Sequence, residues 1–114
     1  MLKSNEQITF SGDVLIKALR EIELILISLH KMGSYYGIMH EEGKDLDNRE
    51  YEKETTRFID EWRVTHRLAM LRSILSGKFD DTLGDDDMDD LERAMEDLKY
   101  WSAPGDKSPG KIGK

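Results

Sequence analysis

The chain of 114 residues has no cysteine and only two prolines, Pro104 and Pro109. Lack of cysteine excludes disulfides, thiolate nucleophiles, cysteine-held zinc and iron–sulfur clusters. It also suits a reducing compartment. Scarce proline leaves most of the chain free to be helical. Long hydrophobic runs are missing too. The longest, residues 22–29, is interrupted by Glu23 and Ser28, whereas a membrane span requires about 20 apolar residues. The opening residues, MLKSNEQITF, contain no apolar signal-peptide core. These absences predict a cytoplasmic chain with no membrane partner.

Recognisable catalytic chemistry is also lacking. His30, His40 and His66 are far apart, with no His-Glu-x-x-His pattern. His66 lies one helical turn from Trp62 and Met70, which predicts a structural, half-buried imidazole. No glycine loop is built to cradle phosphate, and no Gly-x-Ser-x-Gly elbow is present. The paired Glu-x-x-Glu/Asp motifs of helical nucleotide hydrolases are reduced to Glu42 with Asp45, in a loop. No catalytic residue, cofactor or enzymatic activity is expected.

What is present is charge and helical periodicity. Charged residues make up 36% of the chain and hydrophobic ones 38%, with a net charge of −7. Such a length predicts one domain, placed at residues 1–102, followed by a basic, proline- and glycine-bearing tail at 103–114 that should be disordered. The charge is uneven. Residues 57–79 carry two acids and five bases; residues 80–98 carry ten acids and one base.

The periodicity predicts an all-α fold: an antiparallel bundle of three main helices, with a short extra N-terminal helix opened by a Ser4-x-x-Gln7 capping box. The first helix starts at a Ser11 or Asp13 cap. One of its apolar rows is Leu15, Ile22, Leu29 and Tyr36; the other is Ala18, Ile25, Met32 and Met39. Ile16, Leu24 and Ile27 lie on further faces, as in a helix packed on more than one side. Gly33 and Gly37 predict a kink or an early end. After the polar EEGKDLDN loop, a long second helix runs from Asp47 or Asn48 to a stop at Gly77. It shows two offset seams: Tyr51, Thr55, Phe58, Trp62, Thr65 and Ala69; then Val64, Leu68, Leu71 and Leu75. The third helix is expected from a cap at Thr82 or Asp85, with Met88, Leu91, Met95 and Leu98 as its buried stripe.

That third segment, FDDTLGDDDMDDLERAMED, holds seven aspartates between Asp80 and Asp90. It does not match a calcium loop. With Gly84 at the sixth position, Phe79 and Leu83 fall on ligand positions. With Asp85 first, Asp90 takes the place that needs glycine. No metal ligand is therefore assigned. Acids favour a helix N-terminus, but five aspartates in six residues exceed what one terminus can use. On a helical wheel the side opposite the stripe carries Asp86, Asp89, Asp90, Arg93, Glu96, Asp97 and Tyr100. The candidate partner-binding residues are Asp86, Asp89, Asp90, Glu96, Asp97 and Tyr100, a surface suited to a cationic protein. Arg57, Arg63, Arg67 and Arg72 give the second helix a positive side, expected to face the acidic third helix.

Size, helicity, lack of cysteine and the clusters EEGKDLDNREYEKE and DDDMDDLERAMED resemble the small acidic immunity and antitoxin proteins of bacteria, such as those of contact-dependent growth inhibition. The resemblance implies a non-catalytic module that binds and neutralises a basic, nuclease-like toxin, with acids steering association. Two alternatives stand beside it. One is a structural or adaptor subunit that acts through helix-mediated self-assembly as a homo-oligomer. The other is a nucleic-acid-associated regulator using the arginine face, which the acidic total opposes.

Overall fold

A computed structural model describes residues 1–41 and 48–105, without the side chains of 39–41 and 48. Most of the EEGKDLDN loop and the tail from residue 106 lie outside the described residues. The fold is all-α, with three main helices that pack on one another, α1 (Gly12–Glu41), α2 (Asn48–Glu61) and α3 (Val64–Ser76), and a short α4 (Asp90–Met95). No strand occurs among the described residues. The contacts group into two compact units, Thr9–Lys78 and Met1–Ile8 with the chain from Phe79 onward.

In the first unit, Ser11 caps α1 as expected: its hydroxyl accepts from the Val14 N–H at 3.2 Å. The helix runs on through Gly33 and Gly37 without the predicted break. Gly33 lies beside the second helix. A β-carbon there would meet the Tyr51 hydroxyl at 3.6 Å, so α2 comes close to α1 where α1 carries no side chain.

The return arm runs antiparallel along α1. Tyr36 stacks on Tyr51 with ring centroids 5.2 Å apart. Lower down, the Arg67 guanidinium donates to Glu21 at 2.8 Å. At the base, the Lys78 ammonium lies 5.1 Å from the Phe10 ring centroid and donates to the Thr9 carbonyl. The covered face of α1 is Ala18, Glu21, Ile25, Ser28, Met32 and Tyr36, spaced three or four apart. Phe58, Val64 and Leu71 are the buried residues of the return arm.

That arm is two helices where the sequence predicted one. Trp62 still donates to Phe58 and Arg63 to Asp60, but Arg63 turns left-handed at φ 53°, ψ 47°. The break shifts the phase of the arm. Trp62 swings to the surface, its ring 5.6 Å from that of Phe58, and Val64 turns inward. Of the two offset seams read from the sequence, Phe58 turns inward from α2 and Val64 and Leu71 from α3, while Thr65 and Ala69 of the first seam fall in α3 and are exposed. Gly77 ends α3 as predicted, donating to Ser73.

In the second unit, the N-terminal residues form a single 3-10 turn, Lys3–Asn5. The Ser4-x-x-Gln7 box does not open it. Leu2, whose side chain has no polar atom, is the cap residue, and the Ser4 hydroxyl donates to Asp80 at 2.8 Å. The third predicted helix is also corrected. It begins at Asp89, not Thr82 or Asp85, and is six residues long. Its cap is a complete capping box: Asp89 accepts from the Glu92 N–H at 2.8 Å and Glu92 accepts from the Asp89 N–H at 3.0 Å. Of the expected stripe, Met88 and Leu91 are half-buried, while Met95 and Leu98 are exposed.

Candidate interaction surface

The aspartate run is a folded loop organised by one cation. Arg93 donates from Nε and Nη2 to both oxygens of Asp86, each at 2.8 Å, from Nη1 to Asp90 at 3.0 Å, and from Nη2 to the Met88 carbonyl at 3.0 Å. Planar, two-pronged donation of this kind is what arginine supplies and lysine does not. Gly84 is needed beneath it. A β-carbon there would stand 2.8 Å from Arg93 Nη2 and 3.2 Å from Asp86 Oδ1. Asp87 completes the turn at φ 60°, a conformation that aspartate tolerates better than most residues.

Asp90 is the deepest member, 8% exposed, beside Asn5 at 5%. It accepts from the Leu2 N–H and from Asn5 Nδ2, both at 2.8 Å. Asn5 also donates to the Asp80 carbonyl at 3.0 Å and accepts from the Asp80 N–H at 2.8 Å. Asp80 in turn accepts from the Thr82 N–H and hydroxyl. The bonds donated to the Asp80 and Asp90 carboxylates stabilise their ionised form. The Arg93 guanidinium holds Asp86 well below the usual carboxylate range. Asn5 and the Leu2 amide lower Asp90, and Thr82 with Ser4 lowers Asp80.

The candidate partner-binding residues are therefore divided. Asp90 was placed on the outward face and is buried, because its carboxylate serves Leu2, Asn5 and Arg93. Asp89 is half-buried and spent as a helix cap. Asp86 is exposed but held by Arg93 on both oxygens. Glu96, Asp97 and Tyr100 are exposed and outside this network. Arg93, read as one more member of the outward face, is its organiser.

Two arginines of the positive face, Arg57 and Arg67, likewise find partners inside their own unit. Arg57 pairs with Glu54 and Glu61 along α2, and lowers the Glu54 carboxyl by donating to it. Arg67 joins Glu21 and the Trp62 carbonyl. His66, expected half-buried, is exposed.

The largest unsatisfied feature is apolar. With one row of α1 turned inward, a second seam remains: Leu15, Leu19, Ile22, Leu26 and Leu29, at steps of four, three, four and three. These five side chains are between 40% and 57% exposed. Ile16, Ile27 and Ile38 are exposed as well. The alternating step is that of a helix built to receive another helix. A surface helix in a finished bundle carries polar residues there.

Among the described residues, no His, Asp or Glu cluster is placed to hold a metal ion, and no helix is long and apolar enough to cross a membrane. No protein-family model, curated protein or solved structure matches the chain.

Proposed function

We propose that the chain is a non-catalytic protein-interaction module whose working surface is the uncovered seam of α1. One observation carries this reading: five leucine and isoleucine side chains at helix-pairing intervals, each about half exposed. Covering half of such a side chain contributes on the order of 1 kcal/mol. A seam of five is then a substantial driving force for association and a liability when bare. Of the readings open to the sequence, this favours a structural or adaptor subunit that works through helix-mediated assembly.

The immunity and antitoxin reading stands second. Exposed Glu96, Asp97 and Tyr100 favour it, together with Asp81, Asp85 and Asp87, which are exposed too. It draws on fewer acids than the charge count suggests, since Asp80, Asp86, Asp89 and Asp90 already hold the loop together.

The test is the double substitution Leu19→Ser, Leu26→Ser. Both side chains are more than half exposed, so helix content should stay as it is. In fresh host lysate the unsubstituted chain should elute well above its 13.2 kDa, and the double variant should elute later. An unsubstituted chain that elutes at single-chain mass, or a variant that elutes with it, contradicts the proposal.

A further inference from the structure

We infer that the α1 seam is covered by the same seam of a second copy, with the two α1 helices antiparallel. This rests on the seam being the working surface and adds its occupant. Two features of α1 select that occupant.

The first is geometry. The seam forms two rows, Leu15, Ile22, Leu29 and Leu19, Leu26, all exposed, with the alternating spacing of one half of a helix pair. Laid antiparallel so that the two helices overlap end to end, the rows mesh. Leu26 meets Leu29 of the second copy, and Leu29 meets its Leu26. Two leucines thus meet on either side of the two-fold axis.

The second is charge. On the flank of the seam away from α2 and α3 lie Glu23 and His30, both exposed. In the same antiparallel register Glu23 stands across from His30 of the second copy, twice over. An imidazole N–H donates to a carboxylate whether or not the ring carries a second proton. The flank is thus complementary to itself only when one helix is reversed. Parallel alignment instead sets Glu23 against Ala18 of the second copy, which is 3% exposed in its own bundle and has no polar group to offer. A closed two-fold pair of this kind uses one patch on both copies.

The experiment uses the intact purified chain, whose lack of cysteine leaves a clean background. Sedimentation equilibrium should return twice the 13.2 kDa chain mass. Leu26→Arg should weaken the pair by about 30-fold or more, as loss of a central anchor does, with circular dichroism showing the helix content kept. For the arrangement, Glu23→Cys and His30→Cys chains are mixed and oxidised in a glutathione buffer. A mixed 23–30 disulfide is expected, because only apposed β-carbons can be bridged. Absence of the mixed product from chains that sediment as pairs means another arrangement of the two helices and overturns this one. A single-chain mass at every concentration overturns the second copy. In that case a high lysate mass, lowered by Leu19→Ser with Leu26→Ser, would still support the interaction reading with a different protein on the seam.

Discussion

Removing the Asn5 side chain should release the loop that carries the aspartates. Asn5 is 5% exposed and makes three hydrogen bonds to residues 75 and 85 positions away. Two of them, to the Asp80 backbone, are ordinary amide bonds that contribute about 1 kcal/mol each. The third reaches the Asp90 carboxylate, and bonds to charged groups contribute about 1.5–3 kcal/mol. Asn5→Ala removes all three and leaves the partner atoms short of bonds in a covered place. The expected loss is about 4 kcal/mol, or close to a thousandfold in the opening equilibrium, at 1.4 kcal/mol per factor of ten. Amide hydrogen exchange reads it directly. The Asp80 N–H, now held by Asn5 Oδ1, and the Glu92 N–H, held by the Asp89 cap, should each exchange at least a hundredfold faster. Ser4→Ala removes one exposed bond to Asp80 and should change the same amides by less than tenfold. If Asn5→Ala leaves both amides within threefold of the unsubstituted chain, the polar network is not what holds this unit.

Three further outcomes follow from the same geometry. Arg63→Gly should raise the melting temperature, because a side chain at a left-handed position costs about 1–2 kcal/mol and glycine's own entropy cost takes back about half; a lower melting temperature would mean that the arginine side chain matters more than its backbone. Acid should open the second unit: Asp80, Asp86 and Asp90 titrate below their unfolded values, so the stability they contribute is whole above pH of about 4 and falls as pH drops through the lowered values, and Asp80 amide protection that weakens instead between pH 7 and pH 5 would contradict this. Millimolar calcium should leave circular dichroism unchanged, since Asp86 and Asp90 already face Arg93, and a saturable rise in helicity would defeat the claim.

Parts of this structure were legible in the residues. The inward row Ala18, Ile25 and Met32 of α1, its Ser11 cap and the Gly77 stop depend on local chemistry, and they stand as read; Leu15, Ile22 and Leu29, read as part of the same packed seam, are exposed instead. The break at Arg63 was half visible. Two seams offset around one helix are the mark of a phase change, but no glycine or proline marks the site, and a left-handed arginine has no signature of its own. Continuity through Gly33 and Gly37 went against the local signal, because a glycine costs a helix interior only about 1 kcal/mol, too little to end a helix of 30 residues. The aspartate run misled for a different reason. Met88, Leu91, Met95 and Leu98 recur at helical intervals, yet Asp80 and Asp86 bond the backbone two residues on, at Thr82 and Met88. Short acidic side chains compete with helix in this way. Asp90 was assigned to the surface by a helical wheel, and only the distant Asn5 and Leu2 turn it inward. The signal that could have warned of this is Arg93, the single cation among ten acids, with Gly84 set apart to admit it. The bare seam of α1 was in view as surplus apolar residues, but which row stays uncovered is decided by where α2 and α3 pack.

The central claim is that the α1 seam is a covered interface in the working protein. A photo-crosslinking amino acid placed at Leu26, in the middle of the seam, and separately at exposed Lys31, off the seam, tests it in living host cells. The account predicts a discrete, light-dependent protein adduct from position 26 and none of comparable yield from position 31. No adduct from position 26, or equal adducts from both, would contradict it.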